Sequence, residues 1–129
     1  MRHRQREYET VYLLRPDANA DDVEDARQRI EDAVEDAGGH NLSFDDWGQR
    51  DLAFEMRDED DGRVFESAKY QYVRYMVPSE SADVAEQQLK FVEAVLKYLT
   101  VKLDEDLIPD ERLEKPTEIP GETLPYQDE

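Results

Sequence analysis

His3 and His40 are the only imidazoles in the chain, and neither has the company that catalysis requires. A general base needs a nucleophile or a reacting group within hydrogen-bond reach. His3 sits in a basic leader and His40 in a turn after Gly38-Gly39, so both read as surface histidines. There is no cysteine, which excludes disulfides, thiol nucleophiles and thiolate metal sites. Carboxylates are so dense that no pair stands out as an acid–base couple; such runs are solvated faces. Residues 58–62, Asp-Glu-Asp-Asp-Gly, invite a calcium loop. That loop needs an acid five residues before its glycine and a glutamate at its twelfth position. Arg57 and Ala68 stand there instead, and the pattern fails. Only five glycines occur, with no phosphate-cradling run. The residues predict no enzyme, no cofactor and no metal.

Binding chemistry is better represented. The leader Met1-Arg2-His3-Arg4-Gln5-Arg6 sets three arginines apart from an acidic body, which suits phosphate contacts. Lys69-Tyr70-Gln71-Tyr72-Val73-Arg74-Tyr75 loosely imitates the aromatic third-strand motif of an RNA-recognition motif, and Val11-Tyr12-Leu13-Leu14 its first-strand motif. Lys69 and Gln71 replace the glycine and the small residue of that motif. On this alternative Tyr72 would stack on single-stranded RNA. The net charge of −18, from 34 acidic and 16 basic residues, argues against a free-standing nucleic-acid binder. It suits a basic protein partner, a few local cations on an acidic body, or a high-salt cytoplasm.

The elements that must position these groups follow from periodicity. At 129 residues the chain supports one domain and a tail. Residues 8–14 alternate and read as a strand, with Val11 and Leu13 toward the core and Tyr8, Thr10 and Tyr12 away from it. Asn19 caps a helix, with Asp22 in a capping-box position. Val23, Ala26, Ile30, Ala33, Val34 and Ala37 supply its stripe, and Gly38-Gly39 stops it. Residues 42–56 form a second strand with a bend at Gly48. A loop follows at 58–62, then a third strand that ends at Pro78. Ser81 caps a second helix whose stripe runs from Val84 to Leu96. Residues 98–103 are the fourth strand, with Leu99, Val101 and Leu103 on one face. Beyond Asp104 come four prolines and many acids, with Arg112 and Lys115 the only cations. That composition predicts a tail, disordered or draped over the domain. No run is apolar enough to span a membrane or serve as a signal peptide, so a soluble, cytoplasmic protein is expected.

The order β-α-β-β-α-β predicts an α+β, ferredoxin-like split βαβ sandwich over residues 1–105, with an acidic tail at 106–129. Two helices cover one face of a four-stranded antiparallel sheet. The other face is expected to be open and to carry Tyr8, Tyr12, Tyr70 or Tyr72, and Tyr98, as a contact surface for a partner.

These motifs resemble those of bacterial small-subunit ribosomal protein six, the S-six family. That family opens with Arg-x-Tyr-Glu and a Pro-Asx turn, matched by Arg6-Glu7-Tyr8-Glu9 and Arg15-Pro16-Asp17. Its second strand is matched by Trp47, Gly48, Arg50, Leu52, Ala53 and Phe54, and its last by Val95-Leu96-Lys97-Tyr98. The match spans residues 6–105. Gln49 and Asp51 stand where the family commonly has cations, Glu55 replaces a proline, and the loop after Met56 is longer. The resemblance implies a structural constituent of the small ribosomal subunit in the cytoplasm. It implies a heterodimer with the small basic ribosomal protein eighteen (S-eighteen), the pair binding small-subunit (16S) rRNA. Arg2, Arg4, Arg6, Arg50, Lys90 and Lys97 are the expected phosphate contacts; Lys90 and Lys97 match basic positions at the family's second helix and its end. Tyr8, Tyr12, Tyr72 and Tyr98 are the expected partner-facing residues. A second alternative is a self-associating, ligand-sensing domain that dimerises through the open sheet.

Overall fold

The computed structural model describes residues 4–114 and 117. Its elements are β1 (Gln5–Leu14), α1 (Ala20–Asp36), β2 (His40–Arg57), β3 (Val64–Val77), a 3-10 turn (Ser79–Ser81), α2 (Val84–Leu89), β4 (Val95–Leu107) and α3 (Pro109–Leu113). The sheet order is β2-β3-β1-β4 and every pairing is antiparallel. The ferredoxin-like order expected from periodicity is the one found.

α1 begins where its capping chemistry requires. The Asn19 side chain accepts from the Asp22 amide at 2.8 Å, and the Asp22 carboxylate accepts from the Asn19 amide at 3.0 Å. Gly38 ends it with φ +81°, a conformation that favours glycine. A Cβ on Gly39 would overlap the Met76 carbonyl, so α1 returns to the sheet too closely for a side chain there. Ala26, Ile30 and Val34 of α1 are fully buried against Ala85 and Leu89 of α2 and the sheet. Ile30, Val34 and Leu89 each contribute roughly 1.5–3 kcal/mol by leaving water, and the alanines less.

Two strand and helix expectations need correction. α2 is six residues long and ends before Phe91. Phe91 and Val92 lie in a turn in which the Val95 amide donates to the Val92 carbonyl at 3.1 Å, and Val95 and Leu96 belong to β4. β-branched valines lose rotamer freedom in a helix and fit a pleated strand, which favours that exchange. β4 runs to Leu107, so the domain boundary expected at 105 falls inside a strand, and α3 follows directly.

The larger correction concerns the faces of the sheet. Tyr8, Tyr12 and Tyr98 pack beneath the helices with Tyr75, Val73 and Ile30. Val11 and Leu13 are on the opposite face. The reason lies in β1 itself, where residues of both parities are buried. A strand that is apolar on both sides carries no alternation to say which side meets the helices. Thr10 is accommodated in the core because its hydroxyl pairs with Tyr75 Oη at 2.9 Å and Thr100 Oγ1 at 2.8 Å. Burial pushes the Tyr75 phenol up to about 12.

Candidate interface for RNA and protein partners

The face away from the helices is half covered by the chain's own β2. Register slips between Asn41 and Ser43, Asp46 and Gly48, and Asp51 and Met56 break its ladder with β3. Bulges of this kind bend a strand and increase its twist. Trp47 thereby stacks on Tyr72, with ring centroids 4.9 Å apart and an interplanar angle of 24°. Leu52 and Met56 pack over the cluster formed by Val11, Leu13, Ala68, Tyr70 and Tyr72. Tyr70 and Tyr72 are each 1% exposed, so neither ring is presented for stacking by an RNA base. This removes the geometric basis of the RNA-recognition-motif alternative.

Beyond the tyrosines the same face becomes polar. Tyr72 Oη donates to Glu9 at 2.7 Å. Arg74 Nε lies 3.4 Å from Glu7, and Nη2 3.8 Å from Glu9. Arg112, from α3, grips Glu7 through two parallel bonds, Nε to Oε1 at 2.6 Å and Nη2 to Oε2 at 3.1 Å. Sequence reasoning missed this pair because its partners are 105 positions apart.

An apolar strip on β4 remains exposed. Leu99 pairs across from Val11, and Val101 from Glu9, which places both on this face. Val101 and Leu103 are 38% and 40% exposed. Their alternation was visible in the sequence, but the face they occupy was not.

The expected phosphate contacts fall into two groups. Arg4 and Arg6 stand at the start of β1, Arg6 opposite Val77 and Arg4 exposed. Arg2 lies outside the described residues. Lys97 is exposed at the start of β4, opposite Leu13, close to the other end of β1. Arg50 lies toward that end too, its guanidinium 5.9 Å above the Tyr70 ring and its Nε donating to the Trp47 carbonyl at 3.2 Å. Lys90 caps α2 and lines a groove of about 350 Å³ with Arg57, Tyr98 and Phe91. Phe91 is 73% exposed, and sequence reasoning did not single it out.

The acidic loop once considered for calcium has another use. Arg15 grips Asp17 through Nε at 3.0 Å and Nη2 at 2.9 Å, and its Nη1 reaches Asp58 at 3.0 Å and Asp61 at 2.9 Å. Arg63 adds a bond to Asp17 at 3.1 Å. The guanidinium carbons of Arg15 and Arg63 both lie over the Phe65 ring, 4.8 Å and 5.2 Å from its centroid. The β2–β3 loop is thus clasped to the β1–α1 turn. The Arg15 hydrogen bond holds the Asp17 carboxyl below the usual carboxylate range, and the Arg63 amide does the same for Asp61. Because both are depressed in the folded state, their stabilisation is present above the ordinary carboxylate pKa of about 4 and is lost as pH falls below it. Amide spectra of residues 58–63, titrated from neutral pH downward, should therefore report loop release only in acid. Release already near neutral pH would refute the clasp.

The family model for ribosomal protein S6 matches residues 7–102. The chain belongs to the ribosomal protein S6 family. The bS6 protein of Trichlorobacter lovleyi is 32% identical over 101 residues, covering 78% of each chain. That of Nostoc sp. is 33% identical over 95 residues, covering 74% of this chain and 82% of its own. The crystal structure of S6 from Thermotoga maritima superposes with a TM-score of 0.65 at 16% identity, over 77% of this chain and 88% of that one, a likeness of fold. As an S6-family member the chain is a structural component of the small ribosomal subunit, placed on the cytoplasmic ribosome. The match ends at 102, so α3 and its Arg112–Glu7 pair lie partly beyond the family's shared core.

Proposed function

We infer that the chain binds small-subunit rRNA as a heterodimer with ribosomal protein eighteen. The observation that carries this reading is the strip of half-buried Leu99 and exposed Val101 and Leu103 on β4, on the sheet side away from the helices. Exposed aliphatic side chains in a row on one strand face mark an interaction surface. A body of net charge −18 selects a basic protein to cover it. Tyr72 serves that surface indirectly, as the platform that holds Trp47. Tyr8, Tyr12 and Tyr98 leave the partner-facing list, since they pack under the helices.

Lys90, Lys97 and Arg50 provide one group of phosphate contacts, and Arg4 and Arg6 a second at the opposite end of β1. Each phosphate contact is sequence-independent and weakens with salt. Lys90→Glu with Lys97→Glu should lower the affinity of the heterodimer for a small-subunit rRNA fragment by roughly tenfold or more, without preventing heterodimer formation. Gel-shift titration at fixed salt, beside size-exclusion of the protein pair, measures both. Unchanged RNA affinity would remove this end of the sheet from the RNA interface. Equal RNA binding by the chain alone would overturn the need for a partner.

A further inference from the structure

We propose that concentrated salt stabilises the fold itself, because its like charges are crowded at distances that ordinary ionic strength screens only in part. The inference concerns the isolated chain and stands apart from the choice of partner. α1 shows the crowding most plainly. Its 17 residues include eight acids against Arg27 and Arg29. Those two arginines are already engaged, Arg27 with Glu24 and Glu31, and Arg29 with Asp25. The last turn holds Glu35 and Asp36 and no basic residue. Carboxylates there oppose the partial negative charge of the helix C-terminus, the reverse of the usual preference. Glu31 and Glu35, Asp32 and Glu35, and Asp32 and Asp36 also stand three or four positions apart, where side chains are neighbours and like charges repel.

Magnitudes decide when this repulsion matters. Neighbours on a helix face are about 5–6 Å apart. The Debye length is about 8 Å at roughly 0.15 M salt, longer than that spacing, and about 3 Å at 1 M, shorter than it. The penalty therefore persists in dilute buffer and fades toward molar salt. Four further arginines are committed away from α1: Arg15 and Arg63 in the loop clasp, and Arg74 and Arg112 with Glu7 and Glu9. An excess of one sign over the whole chain adds self-repulsion to the compact state.

The test is thermal unfolding of the full chain in KCl from about 0.05 to 2 M, beside the variant Asp32→Asn/Glu35→Gln/Asp36→Asn. The wild-type Tm should rise by roughly 10 °C or more, with most of the rise complete by about 1 M. The triple variant should melt about 4–8 °C higher than wild type in the most dilute buffer and nearly level with it in the most concentrated. A Tm that does not change with KCl would overturn the proposal. So would a variant whose advantage is the same at both salt extremes, since that would reflect helix propensity instead of charge. Sucrose strengthens burial without screening charge; if it reproduced the whole KCl effect, screening would be refuted as the cause.

Discussion

Tyr12→Ala is expected to destabilise the isolated chain by about 3–5 kcal/mol, the range for deleting a large aromatic from a core. Tyr12 is 1% exposed on a central strand, paired with Tyr98 on one side and Gln71 on the other, in the cluster beneath the helices. Domains of this size are stable by only about 5–15 kcal/mol, so the loss is a large share of the total. Urea denaturation without any partner present measures it. The same substitution on a partner-facing ring would leave the free chain's midpoint almost unmoved. A shift below about 1 kcal/mol would therefore return Tyr12 to the surface and restore the opposite assignment of the sheet faces.

Arg112→Met should cost about 2–4 kcal/mol and release α3 from the sheet. Glu7 is 6% exposed and Arg112 9%, so removing the guanidinium leaves a buried carboxylate short of its strongest partner. Arg74, 3.4 Å from Glu7, compensates part of the loss and keeps the effect below that of an isolated buried charge. Glu7→Gln in the Arg112→Met background should recover much of the stability, because it removes the stranded charge. Hydrogen exchange at α3 and a double-mutant cycle read the two effects separately. If Arg112→Met were neutral while α3 stayed protected, other contacts would hold the helix and the pair would be incidental. This prediction also matters for function, since α3 and the pair close one end of the face that carries the exposed β4 strip.

The order of strands and helices was legible in the sequence because each element carries its own local signal. The capping box of Asn19 and Asp22, the stripe through Ala26, Ile30 and Val34, and the stop at Gly38 are all satisfied within a few residues. The family motifs were legible for the same reason, being short runs at fixed spacing. The extent of α2 was not, since the apolar positions from Val84 to Leu96 fit a long helix by spacing alone, and the strand pairing of β4 with β1 decided against it. The expected contact residues divide likewise. Lys90 and Lys97 are exposed, as long cations usually are. Three of the four tyrosines face the helices and Tyr72 lies buried under Trp47, because a tyrosine is amphipathic and fits either side.

By itself, then, the sequence determined the order of the four strands and the first two helices, that one side of the sheet would be roofed by those helices, and that the chain would be strongly acidic. Only the tertiary structure decided which side of β1 the helices cover, that Trp47 folds back over Tyr72, and that Arg112 finds Glu7. The physical reason is the same in each case. Local propensity and spacing act over one or two turns of chain, whereas the orientation of a doubly apolar strand and the pairing of distant charges are set by contacts between residues tens of positions apart.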